Sequence, residues 1–199
     1  MNSSSPRALL TAALPLLLAL APVRVPAQAP RYSPADVEFM QGMIGHHAQA
    51  LEMAALVPTR TTNQSIHFLA QRIAISQKDE IRLMQTWLKD RGQAAPDPAD
   101  AHAHRHEGMH EMLMPGMLTP EQTAQLAAAN DAEFDRLFLE LMIQHHEGAL
   151  TMVRTLFDTQ GAAQETPTFR YASEVDTDQR IEIERMRKLL ATLPAAHSP

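Results

Sequence analysis

The segment Asp36-Val-Glu-Phe-Met-Gln-Gly-Met-Ile-Gly-His-His-Ala-Gln-Ala-Leu-Glu-Met53 has a second copy later in the chain. It aligns without gaps with Asp135-Arg-Leu-Phe-Leu-Glu-Leu-Met-Ile-Gln-His-His-Glu-Gly-Ala-Leu-Thr-Met152, and nine of the eighteen positions are identical. After a three-residue slip, a further set of positions also matches: Ala70, Ile73, Gln77, Glu80, Ile81, Met84 and Leu88 correspond to Ala172, Val175, Gln179, Glu182, Ile183, Met186 and Leu190. The chain therefore carries two copies of one structural unit, at about residues 34–92 and 131–193.

Helix start and stop signals predict that each copy is a pair of helices. Ser33 is a favourable N-cap residue and Pro34 suits the first helical turn, so a helix is predicted over about residues 34–57. The next residues, 58–63, begin with proline and are polar, which predicts a turn. Apolar residues at helical spacing then carry a second helix as far as Gly92, which suits a helix end.

In the second copy the corresponding helices are predicted over about residues 131–158 and from Thr166 onwards, preceded by a short helix opened by Thr119 and Pro120. No stretch alternates as a β-strand does, so strand content should be near zero. Two antiparallel hairpins of amphipathic helices indicate an all-α fold, a ferritin-like four-helix bundle with one long crossover. That crossover, residues 93–118, is rich in Pro, His and Met and is interpreted as a metal-binding loop.

The first 29 residues have the order of a secretory signal peptide. Arg7 precedes an apolar run over residues 8–20, and small residues follow, so cleavage is predicted after Ala27 or Ala29. The apolar run is shorter than the roughly 20 residues that span a bilayer as a helix, and no later segment is long enough. We therefore expect a periplasmic or secreted protein without a membrane span, whose residues 30–199 form a single domain.

Composition narrows the chemistry that the chain can support. It has no cysteine, which excludes disulfides, thiolate-bound zinc and iron–sulfur clusters, so a bound metal must be held by nitrogen, oxygen or thioether. Removal of Arg7 and Arg24 with the signal peptide changes the formal net charge from −6 to −8, and no basic patch is present. Nucleic acid is therefore not expected as a partner.

The repeated segment places imidazole and thioether groups on one face of each first helix, at about 100° per residue, with Asp36 or Asp135 on the same side. This face must point into the bundle, where a buried imidazole needs a partner for its polar nitrogens. A metal ion can supply that need. The predicted ligands in the two copies are Met43, His46, His47, Met142, His145 and His146.

The alternative interpretation is that these histidines are hydrogen-bonded core residues and that the methionines only fill space. The same polar pair recurs in both copies while neighbouring positions differ, which favours a functional role for the histidines. Three other methionines, Met84, Met152 and Met186, are interpreted as core residues.

The crossover indicates which metal is bound. Within sixteen residues it contains four histidines and four methionines, all predicted to be ligands: His102, His104, His106, Met109, His110, Met112, Met114 and Met117. Imidazole suits copper, zinc and nickel, whereas the soft thioether favours cuprous ion, so the mixture points to copper as Cu(I), Cu(II) or both. Silver is similarly soft and should substitute. A low-complexity tract with incidental histidines is the alternative.

The segment 36–53, together with Met114-Pro-Gly-Met117 and the later segment 133–149, resembles the "domain of unknown function 305" family. The resemblance spans roughly residues 33–193. It implies an exported ferritin-like four-helix bundle, in a family that includes copper-binding tolerance proteins of the CopM type. The family's Met-x-x-His-His and Met-Pro-Gly-Met motifs fall on residues already named: Met43, His46, His47, Met142, His145, His146, Met114 and Met117.

The predicted function is an exported copper-binding protein that sequesters or relays copper and is not an enzyme. A copper-transfer protein and a homo-oligomer are further candidate partners. One alternative is a ferritin-like di-iron or di-manganese oxidase, but the long helices lack Glu-x-x-His, and only four carboxylates are candidates: Asp36, Glu80, Asp135 and Glu182. The other is a helical interaction module without metal, in which the histidines sense pH.

Overall fold

The computed structural model describes residues 32–99 and 113–194, so the predicted signal peptide and the loop residues from His102 to Met112 lie outside the described residues. The described residues form five α-helices: α1 (Pro34–Arg60), α2 (Gln64–Asp90), α3 (Pro120–Ala128), α4 (Asp131–Asp158) and α5 (Thr166–Thr192). No strand occurs in these ranges, and none of the five helices is long and apolar enough to cross a membrane. The prediction of an all-α bundle is confirmed.

Local sequence signals account for most helix ends. Ser33 and Asp36 form a capping box at the start of α1, and α3 begins with a box of the same kind. α1 ends later than predicted, because Pro58 lies inside its last turn rather than in the connecting turn. Proline removes one backbone donor, but the N–H of Thr61 still donates to the carbonyl of Val57 and closes the helix.

The helices pack as two hairpins, α1 with α2 and α4 with α5, which meet mainly through α1 and α4. One apolar cluster surrounds Phe134 and Phe138, whose rings stack at 5.7 Å between centroids. A second surrounds Phe39 and Tyr171, whose rings meet edge to face at 6.3 Å. Removal of this apolar surface from water is the main favourable term in the stability of the bundle.

Two buried aspartates tie the hairpins together end to end. Asp36, at the start of α1, accepts the backbone N–H of Ala163 in the turn between α4 and α5, at 2.7 Å. Asp135, at the start of α4, accepts the side-chain N–H of Asn63 in the turn between α1 and α2, at 2.6 Å. α1 and α4 are therefore antiparallel. The two carboxylates lie at the ends of the bundle, about 15 Å along each helix from the histidine pair, and not beside the histidines as the helix face suggested.

Residues 113–118, here called the strap, cross the surface formed by α1 and α4. The amide of Gln49 on α1 accepts the backbone N–H of Leu118 at 2.8 Å and donates to its carbonyl at 3.1 Å. The amide of Gln144 on α4 donates to the carbonyl of Gly116 at 3.3 Å. Gly116 has a φ of 77°, in the left-handed region that glycine adopts without steric cost. The end of the crossover is thus fixed to both α1 and α4, the inner helices of the bundle.

The strap approaches α4 closely because residue 148 is glycine. A Cβ atom at Gly148 would lie 1.9 Å from the carbonyl oxygen of Pro115 and 2.6 Å from the Cα of Gly116, and both of these are backbone atoms. The equivalent position in the first repeat is Gln49, which holds the strap by its side chain. The two repeats therefore diverge where the strap crosses them.

The substitution Gly148→Ala should displace the strap and lower the free energy of unfolding by about 2 kcal/mol, because overpacking outweighs the gain in helix propensity. Gly42→Ala is the matched control, since a Cβ atom there would meet only the flexible ends of Met114 and Met152, at 3.2 and 3.4 Å. Urea unfolding of both variants measures the difference. Equal stability of the two variants would contradict the strap packing.

Candidate metal centre

Four histidines occupy the interior of the bundle between the two repeats. His46, His47, His145 and His146 all have no solvent exposure. The closest ring pair joins the two repeats, with the centroids of His46 and His145 3.9 Å apart. Within each repeat the two histidine rings are 6.5 and 6.3 Å apart. The structure therefore brings the two predicted groups together into one cluster, whereas the sequence indicated one group for each helix.

Two of the histidines form hydrogen bonds with carboxylates of α2 and α5, the outer helices of the bundle. The Nε2 of His47 lies 2.5 Å from Oε2 of Glu80 on α2, and the Nε2 of His146 lies 2.7 Å from Oε2 of Glu182 on α5. Ser76 supports the first of these carboxylates by donating to Oε1 of Glu80 at 3.0 Å. These pairs were not predicted, although Glu80 and Glu182 matched each other in the repeat alignment and were candidate carboxylates for the alternative di-metal centre.

The strap provides the partner of a third histidine. The Nε2 of His46 lies 3.0 Å from the carbonyl oxygen of Pro115, which can only accept a hydrogen bond, so Nε2 carries the proton. The equivalent histidine of the second repeat, His145, has no hydrogen-bond partner at either ring nitrogen. The crossover therefore makes the cluster asymmetric, and His145 is the histidine with both nitrogens free.

Each of the other three histidines keeps one buried nitrogen without a hydrogen bond. These atoms are the Nδ1 of His46, His47 and His146. A carboxylate or carbonyl on one ring nitrogen and a free lone pair on the other is the usual state of a metal-ligating histidine, because the partner fixes the tautomer. Unpaired buried polar atoms are costly and rare in proteins. Each of these Nδ1 atoms is therefore a buried donor of the kind that a metal ion can use.

Burial also determines the protonation state of the cluster. Loss of hydration, with the nearby charges of His47 and His146, outweighs the hydrogen bond to the Pro115 carbonyl and lowers the pKa of His46 to about 3. Burial likewise holds the pKa of His145 well below its ordinary value, and the other three histidines add to the effect. The backbone of His46 opposes it slightly, as a contact too poorly aligned to be a hydrogen bond. Both imidazoles are therefore neutral at neutral pH, which is the state that binds metal.

The carboxyl of Glu80 is shifted by opposing effects. Burial by itself raises its pKa, but the hydrogen bond and charge of His47, together with the Ser76 hydroxyl, lower it below the ordinary value. Glu80 is thus ionised at neutral pH and can accept the Nε2–H of His47. This fixes the tautomer that leaves Nδ1 free.

The predicted methionines of the described residues fall into two groups. Met43 and Met142 are completely buried in the core, on the same helices as the histidines. Met114 and Met117 lie on the strap, where Met117 is buried and Met114 is half-buried. A Cβ at Gly42 would lie 3.2 Å from the Met114 sulfur, so this thioether packs one turn before His46 on α1.

In the described ranges, 32–99 and 113–194, no group of three or more His, Asp or Glu side chains is placed to hold a metal ion. The histidine pairs alone do not complete a coordination sphere. A site on these histidines would need further donors, and the histidine helices and the strap also carry buried methionines, whose thioethers are soft donors.

The fold is similar to solved structures of DUF305 proteins and of CopM. A DUF305 fragment from Deinococcus radiodurans matches with 33% identity and a TM-score of 0.68, covering 82% of this chain and all of that one. A DUF305 protein from Streptomyces coelicolor, assigned as secreted, matches with 28% identity and a TM-score of 0.67, covering 82% and 94%. CopM in its Cu(II)-bound form matches with 26% identity and a TM-score of 0.62, covering 78% and 95%.

A curated relative covers a shorter region. Uncharacterized protein L153 of Acanthamoeba polyphaga mimivirus is 39% identical over 56 residues, which span 28% of this chain and 37% of the relative. The family model described as "Domain of unknown function (DUF305)" matches residues 36–190 and so includes both repeats, the strap and all four buried histidines. This chain belongs to the DUF305 family.

Proposed function

We propose that this chain is an exported copper-binding protein that sequesters or relays copper, and that it is not an enzyme. The observation that carries the proposal is the cluster of four buried histidines, in which His46, His47 and His146 each have one nitrogen held and the other unpaired. This arrangement prepares lone pairs in a dry interior. A metal ion is the ligand that removes the cost of these unpaired nitrogens.

Copper is favoured over other metals because the histidine helices and the strap also carry thioethers. Met43 and Met142 lie on the histidine helices, and Met114 and Met117 lie on the strap above them. Thioether stabilises cuprous ion and adds little for zinc, magnesium or manganese. The similarity to CopM in its Cu(II)-bound form supports the same choice. Silver should bind in place of cuprous ion.

The two ligand-rich parts have different roles in this proposal. The loop from His102 to Met112 captures the ion, and the strap, which follows it directly in the chain, leads to the buried histidines. The predicted signal peptide and the similarity to a protein assigned as secreted support action outside the cytoplasm. There, His and Met remain usable ligands while free thiols tend to oxidise.

The inward carboxylates Glu80 and Glu182 are the observation that favours a second candidate, a di-iron or di-manganese oxidase. Such a centre typically uses four carboxylates and two histidines. Asp36 and Asp135 are bound to the turns at the two ends of the bundle, which leaves two carboxylates beside four histidines. The balance of nitrogen and sulfur over oxygen favours copper.

Thioether ligation predicts a difference between cuprous and cupric ion. The double variant Met43→Leu/Met142→Leu keeps the core volume but removes two sulfurs, so the affinity for Cu(I) should fall about tenfold or more while Cu(II) binding changes little. Chelator-competition titrations of the mature protein measure both affinities. Met40→Leu is the matched control, because Met40 is equally buried on α1 and is not a predicted ligand.

The same titrations test the proposal as a whole. Binding no tighter than micromolar for either copper ion in the unsubstituted protein would overturn it. Tight binding of iron or manganese, with an absorption band typical of an oxo-bridged pair, would instead support the oxidase.

Division of roles between loop and bundle predicts two separable sets of copper ions. Replacement of His102, His104, His106 and His110 by asparagine should reduce the number of ions bound for each chain and leave the bundle's share intact. His145→Gln should do the reverse, since His145 lies in the bundle with both nitrogens free. Mass spectrometry of the copper-loaded protein under native conditions counts the ions. Identical losses in the two variants would contradict separate sites.

Burial of neutral histidines predicts that the metal-free protein loses stability in mild acid. The folded pKa of His46 is about 3, whereas an unfolded histidine has a pKa of about 6.5. Between these values the unfolded state binds more protons, so the free energy of unfolding falls as pH decreases, by up to about 1.4 kcal/mol per pH unit for each such histidine.

Urea unfolding at pH 7, 6 and 5 measures this slope above the range where most carboxylates titrate. The variant His46→Gln should have a flatter profile than the unsubstituted protein, because it removes one of the groups responsible. A free energy of unfolding that stays constant from pH 7 to pH 5 would show that the histidines are not buried in the neutral form.

A further inference from the structure

The outward face of α2 carries an apolar stripe that no other described element covers. Phe68, Ile75 and Leu83 are 63%, 58% and 58% exposed. At about 100° per residue they lie within about 80° of one another, so they form one line along the helix. Single exposed apolar residues are ordinary, but a line of three large ones at seven- to eight-residue spacing is the pattern of a helix that packs against a partner.

The second repeat shows that the fold does not require these apolar residues. The equivalent positions on α5 are Arg170, Thr177 and Arg185, which are exposed and polar. Both helices pack their opposite faces in the same way, with Ile73 and Val175 buried at matching positions. The stripe is therefore found on α2 and not on its equivalent, α5, where the same positions form ordinary polar, solvent-exposed surface.

The stripe is complementary to itself in the antiparallel direction. About a centre between Ile75 and Ser76, Phe68 and Leu83 are equidistant, each about 11 Å along the helix. Arg72 and Asp79 are equidistant from the same centre and share the same face, at about 40° and 20° from Phe68. A second α2 laid antiparallel on the first therefore places Phe68 against Leu83, and Arg72 against Asp79, twice.

The charged pair is available for such a contact. Arg72 is exposed and makes no ion pair within the described part of the chain, although its charge acts on Asp178 of α5 from a greater distance. Asp79 pairs with Arg82 at the surface, a pair exposed by 57% and 68% that contributes little by itself. Opposite charges at the edge of an apolar contact mainly set the orientation of the two partners. Here Arg72 of one copy faces Asp79 of the other only when the two helices are antiparallel.

We propose that the outward face of α2 is the surface through which two copies of this chain associate, with the two α2 helices antiparallel about a twofold axis between Ile75 and Ser76. The contact is isologous, so each copy supplies the same residues, and the pair is closed. The strap packs on α1 and α4, so association through α2 leaves it uncovered in both copies.

The predicted dimer is weak. One helix face with three large apolar side chains is smaller than a standard interface, which uses about 20–30 residues from each partner. Sedimentation velocity of the mature protein over a concentration series should therefore show a monomer–dimer equilibrium, with the dimer fraction increasing with concentration. A chain that remains monomeric up to millimolar concentration overturns the proposal, and so does a monomer that associates with anionic lipid vesicles through this stripe.

Two sets of variants test the face and the direction of pairing. Phe68→Arg/Leu83→Arg introduces the residue types found at the equivalent α5 positions, so it should retain the helical circular dichroism and the thermal midpoint and yet sediment as a monomer. Phe169→Arg is the control, because Phe169 is 55% exposed on α5 outside the stripe and should leave the dimer unchanged. Persistence of the dimer in the first variant rejects the α2 face.

Charge reversal tests the antiparallel register. Arg72→Asp alone or Asp79→Arg alone brings like charges together twice in the dimer and should weaken association by about tenfold. The double variant Arg72→Asp/Asp79→Arg restores opposite charges and should return association to near the original level. The proposed register is excluded if neither single variant weakens association. It is also excluded if the double variant associates as weakly as the sum of the two single effects predicts.

Discussion

The contact between His46 and His145 is the constraint around which the rest of the bundle is arranged. Two imidazoles with centroids 3.9 Å apart, both without solvent exposure, join the inner helices of the two repeats. Apolar packing alone would favour leucine or methionine at these positions, because a buried imidazole loses its hydration. Glu80 of α2 and Glu182 of α5 form hydrogen bonds with the neighbouring histidines, His47 and His146, and so offset part of the lost hydration of the cluster. The four histidines and two glutamates thus form a polar layer, which is energetically costly in an otherwise apolar core.

Duplication explains the symmetry of this layer, and the crossover explains its asymmetry. The aspartate ties and the histidine–glutamate pairs occur once in each repeat at equivalent positions. The strap crosses the bundle once, so the residues under it have diverged to Gln49 in one repeat and Gly148 in the other. It supplies a hydrogen-bond acceptor to His46 and none to His145. Two equivalent histidines consequently differ in how available their nitrogens are.

Local signals in the sequence were sufficient to predict the helices. Caps at Ser33 and Thr119 and the helical spacing of apolar residues gave the elements nearly residue by residue. The end of α1 was misplaced, because a proline in the last helical turn costs one hydrogen bond and does not by itself end the helix. Burial of the histidines also followed from the face on which they lie.

Contacts between elements distant in sequence were not predictable in the same way. Helical periodicity orders residues around one axis, so it grouped His46 with His47 and cannot show that His46 lies closer to His145. It also placed Asp36 on the correct side of α1. Periodicity around the axis does not include the distance along the helix, however, and Asp36 lies far enough from the histidines to bind the turn at Ala163 instead. The ligand roles of the histidines and methionines stay predictions from donor chemistry.

The strap controls the proton on one of the buried histidines. Its backbone carbonyl at Pro115 fixes the Nε2 proton of His46, and Met117 of the strap is itself buried. A displacement of Pro115 removes the acceptor from a fully buried imidazole, so the position of the strap and the tautomer of His46 depend on each other. The position of this short segment therefore decides which nitrogen of His46 carries the proton, and so which nitrogen keeps a lone pair.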